Sequence, residues 1–243
     1  MSAAGASPAV PVTSWSRGPP AMEVTAEEME RAWERTPESL KKALAEAAGS
    51  IRRFHERQKR NSFMDNTTKG RITGQLINPI EKVGIYVPGG KSPYPSTVLM
   101  NAIPAKVAGV EDLVMITPPG KTGEIMDNIL AAAKIAGVDR IFKVGGAQGI
   151  AALAYGTQTI PKVYKITGPG NIYVALAKKQ VYGIVDIDMI AGPSEILIIA
   201  DDTANPRYIA ADLLSQAEHD ELASSVLITP SEKLAETVSK EVD

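Results

Sequence analysis

At 243 residues, with 44% apolar residues and a formal charge of −2, the chain has room for one large domain or two smaller ones around a sizeable core. A pI near 5.8 leaves no basic footprint for nucleic acid. The absence of cysteine excludes disulfides, thiol nucleophiles and cysteine metal sites, and no apolar run approaches the roughly 18 residues that a membrane helix needs.

Residues 1–20 are rich in Ala, Pro and Ser and lack the charged start and apolar stretch of a secretory signal. They read as a disordered leader on a cytoplasmic protein, with organelle transit left open. Residues 21–70 are expected to form a helical N-terminal arm. Within it Thr36-Pro37-Glu38 marks a helix start with Pro at its first position. Leu40, Leu44, Ala47, Ile51 and Phe54 then recur at helical spacing. The charges from Arg52 to Arg60, His55 among them, read as a solvated face.

Beyond Gly70 short apolar strands alternate with helices. Strands are expected at Val83–Val87, Leu113–Thr117, Arg140–Val144 and Val163–Thr167, and helices at Ser96–Gly109, Gly123–Gly137, Gly146–Gly156 and Ile172–Tyr182. This alternation predicts an α/β fold: a doubly wound, Rossmann-like parallel sheet covered on both faces, over residues 71–190. A weak internal repeat follows. Pro88-Gly89-Gly90, a helix and Leu113–Pro118 resemble Gly192-Pro193, a buried strand (Ile196–Ala200), a helix and Ser225–Pro230. Residues 191–243 are therefore expected to begin a second, related α/β domain. The final helical pattern has no capping glycine, so the second half is expected to be cut short by truncation, and the first sheet is expected to be an incomplete form of the Rossmann-like one.

Glycine turns close these strands, where open α/β sheets bind ligands. Gly168-Pro169-Gly170-Asn171 would aim backbone N–H groups at an anion from the head of a helix. Gly145-Gly146-Ala147-Gln148 has the same placement. Each is equally a tight turn, and neither is the G-x-G-x-x-G fingerprint. Tyr86 either stacks on a flat ring or is a buried tyrosine with one hydrogen bond. On the helix after Ile196–Ala200, Ile209, Leu213 and Ala217 form an apolar stripe, flanked by Asp212, Gln216 and His219 at i, i+4 and i+7. An amide and an imidazole so placed could hold a metal or a polar substrate. A single His beside an apolar stripe serves as well as a hydrogen-bonded boundary residue.

Taken together the motifs become specific. Tyr86–Gly90, Tyr94–Val110, Gly145–Gln148, Gly168–Asn171, Ala191–Glu195 and Gln216–Asp220 occur in that order, and from about Ser50 to Asp243 the chain closely resembles histidinol dehydrogenases. The resemblance implies an NAD-linked, zinc-dependent homodimer that ends histidine biosynthesis. Such an enzyme oxidises L-histidinol through L-histidinaldehyde to L-histidine with two NAD molecules. It places the NAD contacts on Tyr86, Gln148 and Asn171, a substrate contact on Ser194, and shared zinc and substrate ligands on Gln216 and His219. It further implies that the catalytic Glu-His pair, and an Asp and a His that complete the site of one zinc ion, lie beyond Asp243. This chain then carries no catalytic residue, only half of the zinc ligands, and no activity alone; Asp212 receives no role. A same-scaffold dehydrogenase for another small alcohol, such as a sulfonated diol, and a non-catalytic NAD-binding or dimerising fragment are the alternatives.

Overall fold

The computed structural model describes residues 22–89, 94–190, 194–218 and 223–242. The expected leader, Gly90, residues 191–193 and His219 lie outside them. The chain divides into two compact units, Met1–Ile190 and Ala191–Asp243.

The first unit opens with α1 (Ala26–Arg35), started by a capping box in which Thr25 and Glu28 satisfy each other's backbone N–H groups. The Thr36 hydroxyl turns back to donate to the Ala32 carbonyl at 2.7 Å, and Pro37 then caps α2 (Glu38–Glu56). Pro37 thus stands one residue earlier than expected, at the cap rather than in the first turn. Ala32, Leu44 and Ala48 are buried in the same core as the sheet. Ion pairs tie this region down: Arg35 to Asp127, Lys134 to Glu30, Arg140 to Glu23, and Lys143 to Glu28. After α2 the chain makes an exposed antiparallel hairpin, β1 (Phe63–Asp65) and β2 (Thr73–Gln75), which straddles the end of the expected helical arm at residue 70. Its alternation is too short, and its residues too exposed, to announce strands by periodicity.

The body of the unit is a five-stranded parallel sheet. Its strands are β3 (Lys82–Tyr86), β4 (Asp112–Thr117), β5 (Arg140–Lys143), β6 (Lys165–Thr167) and β7 (Asp186–Ile187), in the order β5-β4-β3-β6-β7. Between them run α3 (Pro95–Ala108), α4 (Asp127–Ala136), α5 (Gly146–Tyr155) and α6 (Ile172–Val181). The start of α4 falls at Asp127 rather than near Gly123, because the Gly120 N–H bonds the Glu124 carbonyl and Gly123 takes φ +82° in a turn.

Strand alternation divides the core. Val83, Ile85, Leu113, Met115 and Ile141 face α2, α3 and α4, while Tyr86, Val114, Ile116, Phe142 and Ile166 face α5 and α6. Both faces are covered, which is why these strands read as continuous apolar runs. Residues 22–24 lie antiparallel along β5, with the Val24 N–H bonding the Ile141 carbonyl at 2.9 Å, so that edge is not left open.

The second unit is β8 (Ile196–Ile199), α7 (Pro206–Ala217), β9 (Ser225–Ile228) and α8 (Glu232–Val242), with the two strands parallel. Its βαβα order matches that of β3-α3-β4-α4, which gives the internal repeat a structural basis. Two expectations are corrected here. The strand over Ile196–Ala200 is not buried on both faces: both helices pack on the side of Ile196 and Ile198, and Leu197 and Ile199 are 57% and 76% exposed. Nor does Ala217 join the buried stripe; Ile209, Ala210 and Leu213 are buried and Ala217 is exposed. A 12-residue helix is about 18 Å long and a four-residue strand about 13 Å, so the last turn of α7 overruns the sheet beneath it.

Candidate functional site

The sheet order places β3 beside β6 at its centre. The chain leaves β3 for α3 on one face and leaves β6 for α6 on the other, so the connections diverge at these two carboxyl ends and open a crevice. That point is where doubly wound sheets bind dinucleotides.

Gly168 ends β6 there. Its φ is +110°, and a Cβ on it would stand 2.1 Å from the Tyr86 carbonyl oxygen, so the turn closes directly on the end of β3. Asn171 caps α6, its Oδ1 accepting from the Val174 N–H at 3.1 Å. The Ile172 and Tyr173 N–H groups, at the positive end of the helix dipole, bond to no described residue. Beneath the turn lies Lys178, 2% exposed. Its ammonium donates to the Gly168 carbonyl at 3.1 Å and to the Asp188 carboxylate. The other Asp188 oxygen accepts from the Gly168 N–H at 2.8 Å.

Tyr86 resolves to the second of its two readings. It is 3% exposed within the α5–α6 core, and its hydroxyl accepts one hydrogen bond, from the Gly146 N–H at 3.2 Å. Burial raises its pKa, and the Gly146 hydrogen bond opposes that only in part. The neutral phenol is therefore the form present at neutral pH. Gln148 is exposed and curls over the same turn: a Cβ on Gly146 would lie 2.8 Å from its Oε1. Nearby, a cavity of about 230 Å³ at the ends of β3 and β4 is lined by Gly89, the Thr117–Lys121 segment, Ile125, Met126 and Ile129. Larger clefts of about 520 and 630 Å³ open beside the α1–α2 junction and beside the end of α2. They carry none of the glycine turns.

The structure thus brings Tyr86, Gln148 and Asn171 to the carboxyl edge of one sheet. Ser194 is exposed, and Gln216 is half-buried near the end of α7 in the second unit. Asp212 is exposed and its backbone carbonyl accepts from the Ser215 hydroxyl. Among the described residues no three His, Asp or Glu side chains converge as a metal cluster.

Sequence reasoning missed Lys178 and Asp188, although a signal was present. Lys178 stands four residues after Val174 and three before Val181, both buried, so helical spacing puts its charge on the inner face of α6.

The comparisons agree with this architecture. A family model described as histidinol dehydrogenase matches residues 13–243. A histidinol dehydrogenase of Halalkalibacterium halodurans is 62% identical over 216 residues, 89% of this chain and 51% of that protein. One from Listeria monocytogenes is 62% identical over 201 residues, 83% of this chain and 47% of that protein. The crystal structure of histidinol dehydrogenase from Elizabethkingia anophelis superposes with a TM-score of 0.85 at 44% identity, covering 91% of this chain and 51% of the other. The chain therefore spans about half the length of the relatives it matches, and it belongs to the histidinol dehydrogenase family.

Proposed function

We propose that residues 71–190 form the dinucleotide-binding part of a histidinol dehydrogenase and that residues 191–243 begin its second α/β domain. The enzyme would oxidise L-histidinol to L-histidine with two equivalents of NAD, with the aldehyde held between the two steps. The observation that carries this reading is the Gly168–Asn171 turn, closed against Tyr86 where the connections from β3 and β6 diverge.

The residues present fit a dinucleotide. The Ile172 and Tyr173 N–H groups, without a partner among the described residues, stand at the positive end of α6, where a diphosphate would lie. Asn171 is consumed in part by its cap and offers its amide N–H groups. The Tyr86 hydroxyl accepts from the Gly146 N–H of the second turn, and the Gln148 carboxamide lies close to the same glycine. Bound NAD supplies the hydride acceptor. In the chain, the two glycine turns would orient it at the carboxyl edge of the sheet.

The fit to zinc is incomplete. A tetrahedral site wants about four ligands, and the described residues offer Gln216 without a converging carboxylate or imidazole set. We assign Gln216 and His219 as ligands shared between metal and substrate, and Ser194 as a substrate contact, on the family resemblance alone. Zinc, where bound, would serve to position the substrate's amino and imidazole nitrogens. The proton-moving Glu-His pair is assigned to sequence outside this chain, so the 243-residue polypeptide is expected to bind NAD and not to turn over histidinol. Homodimerisation is part of the same proposal. Phe63, Met64, Ile72 and Leu76 are 58–75% exposed on and beside the β1–β2 hairpin, an apolar surface suited to a second copy.

Calorimetric titration with NAD and an NADH-formation assay with L-histidinol test both halves. Binding without turnover is expected. Turnover at the rate of full-length relatives contradicts the assignment of the proton-moving pair, and absence of NAD binding contradicts the dinucleotide site.

A further inference from the structure

We propose that the Lys178–Asp188 pair is a positioning device that sets the dinucleotide affinity of the Gly168–Asn171 turn; the proposal rests on the NAD site described above. The two side chains hold Gly168 through the two peptide units that flank it. Lys178 donates to the Gly168 carbonyl, and Asp188 accepts from the Gly168 N–H while pairing with Lys178 itself. A third bond, from the Met189 N–H to Asp188 at 2.7 Å, fixes the carboxylate to its own backbone. Gly168 thus has both polar groups taken up, at a residue whose φ of +110° gives it no ordinary secondary-structure partner.

A buried ion pair is a poor device for stability, because taking two charges out of water costs several kcal/mol per ion and their attraction barely repays it. The Lys178 side chain is 3% exposed and that of Asp188 28%. Leucine or methionine at 178 would fill the same inner face of α6 without that cost. What an apolar side chain cannot do is hold the Gly168 carbonyl and thereby aim the next residues, Pro169 to Asn171, into the crevice. Asp188 is also the residue after β7, two before the division between the units at Ile190. The same carboxylate therefore fixes the phosphate-facing turn and the exit from the first unit.

A second ion pair supplies the control. Lys165 and Asp186 pair directly across β6 and β7, without involving α6, and neither bonds to Gly168 among the described residues. The experiment compares K178M, D188A, K178R and K165M with the parent chain. It reads NAD affinity by calorimetry well below each melting temperature and amide hydrogen exchange over residues 166–173. K178M and D188A are expected to weaken NAD binding by roughly tenfold to a hundredfold, the usual loss when a site's supporting contact is removed, and to speed exchange at Gly168. K178R, which keeps charge and donors, is expected to restore most of the affinity, and K165M to leave both readouts unchanged. If K178M fails to fold, D188A carries the test, since Asp188 is partly solvated.

Parent-like affinity in folded D188A and K178M overturns the proposal, as does equal weakening in K165M. If the parent itself does not bind NAD, the dinucleotide reading fails, and exchange decides the positioning role. Faster exchange at Gly168 in D188A but not K165M then supports it, and unchanged exchange overturns it.

Discussion

Replacing Gly168 by alanine isolates the contact on which the crevice depends. Two costs add. A positive φ costs an L-residue about 1–2 kcal/mol, and the new methyl would sit 2.1 Å from the Tyr86 carbonyl oxygen and 3.0 Å from its carbonyl carbon. Those are backbone atoms of the central strand, held in parallel register by β4 on one side and β6 on the other. They cannot yield as a side-chain tip would, so the overpacking penalty is expected toward the upper part of its usual range of about 1–3 kcal/mol. The sum is about 4 kcal/mol, and at 2–4 °C per kcal/mol for a domain of this size it lowers the melting temperature by roughly 8–16 °C. Gly183 provides the comparison. Its φ is +96°, but nothing lies within 4 Å of a Cβ there. Gly183→Ala therefore carries the conformational cost alone and is expected to lower the melting temperature by about 2–8 °C. Thermal unfolding followed by circular dichroism, on both variants and the parent at one pH, reads the difference. Equal melting temperatures for the two variants would show that the turn does not close on β3 as described.

Phe142 is fully buried between β5 and the α5–α6 face, so Phe142→Ala is expected to cost about 3–5 kcal/mol in urea unfolding; a loss below 1 kcal/mol would place it elsewhere. Acid should loosen the N-terminal segment from the sheet. The Arg140 hydrogen bonds hold the Glu23 carboxyl below the ordinary carboxylate range; for Glu28 burial pushes upward, but the Lys143 and Thr25 hydrogen bonds outweigh it. Both pKa values are lower in the folded state. Their stabilisation is thus fully present above the unfolded carboxylate value of about 4.3 and is lost as pH falls through the lower folded values. Glu23→Gln should flatten that part of the stability profile, and an unchanged acid limb would refute the coupling. Light scattering on the purified chain is expected to give the mass of two copies; substituting Met64 and Leu76 with lysine should shift it to one, and a parent chain that is already monomeric contradicts the dimer.

Much of this fold was legible because both faces of the first sheet are covered. Leu113–Ile116 is apolar at every position and is buried on both sides, and the glycines that follow such strands mark where the chain turns. The same logic misled at Ile196–Ile199, where an unbroken apolar run lies on a sheet that the described residues cover on one side only. An apolar side chain reports what could be buried there, not what is. Helical spacing put Ala217 on an apolar stripe but carried no information on the length of the strands below. Tyr86, Gln148 and Asn171 were singled out through motif and resemblance. The resolution of Tyr86 into a buried phenol bonded to Gly146 needed coordinates, because its partner is 60 residues away in the chain. Lys178 and Asp188 went unnoticed for a related reason: a charge on an inner face is visible in the sequence, but the peptide it holds is not.

Where NAD meets the chain is decided by the amides that respond to it. Titrating NAD into isotopically labelled protein, with backbone amide shifts followed by NMR, is expected to move Gly146, Gln148, Gly168 and the Asn171–Tyr173 amides together, with one affinity. Shifts clustered instead around the clefts beside α2, with the amides of Gly168 and Asn171 unmoved, would contradict it.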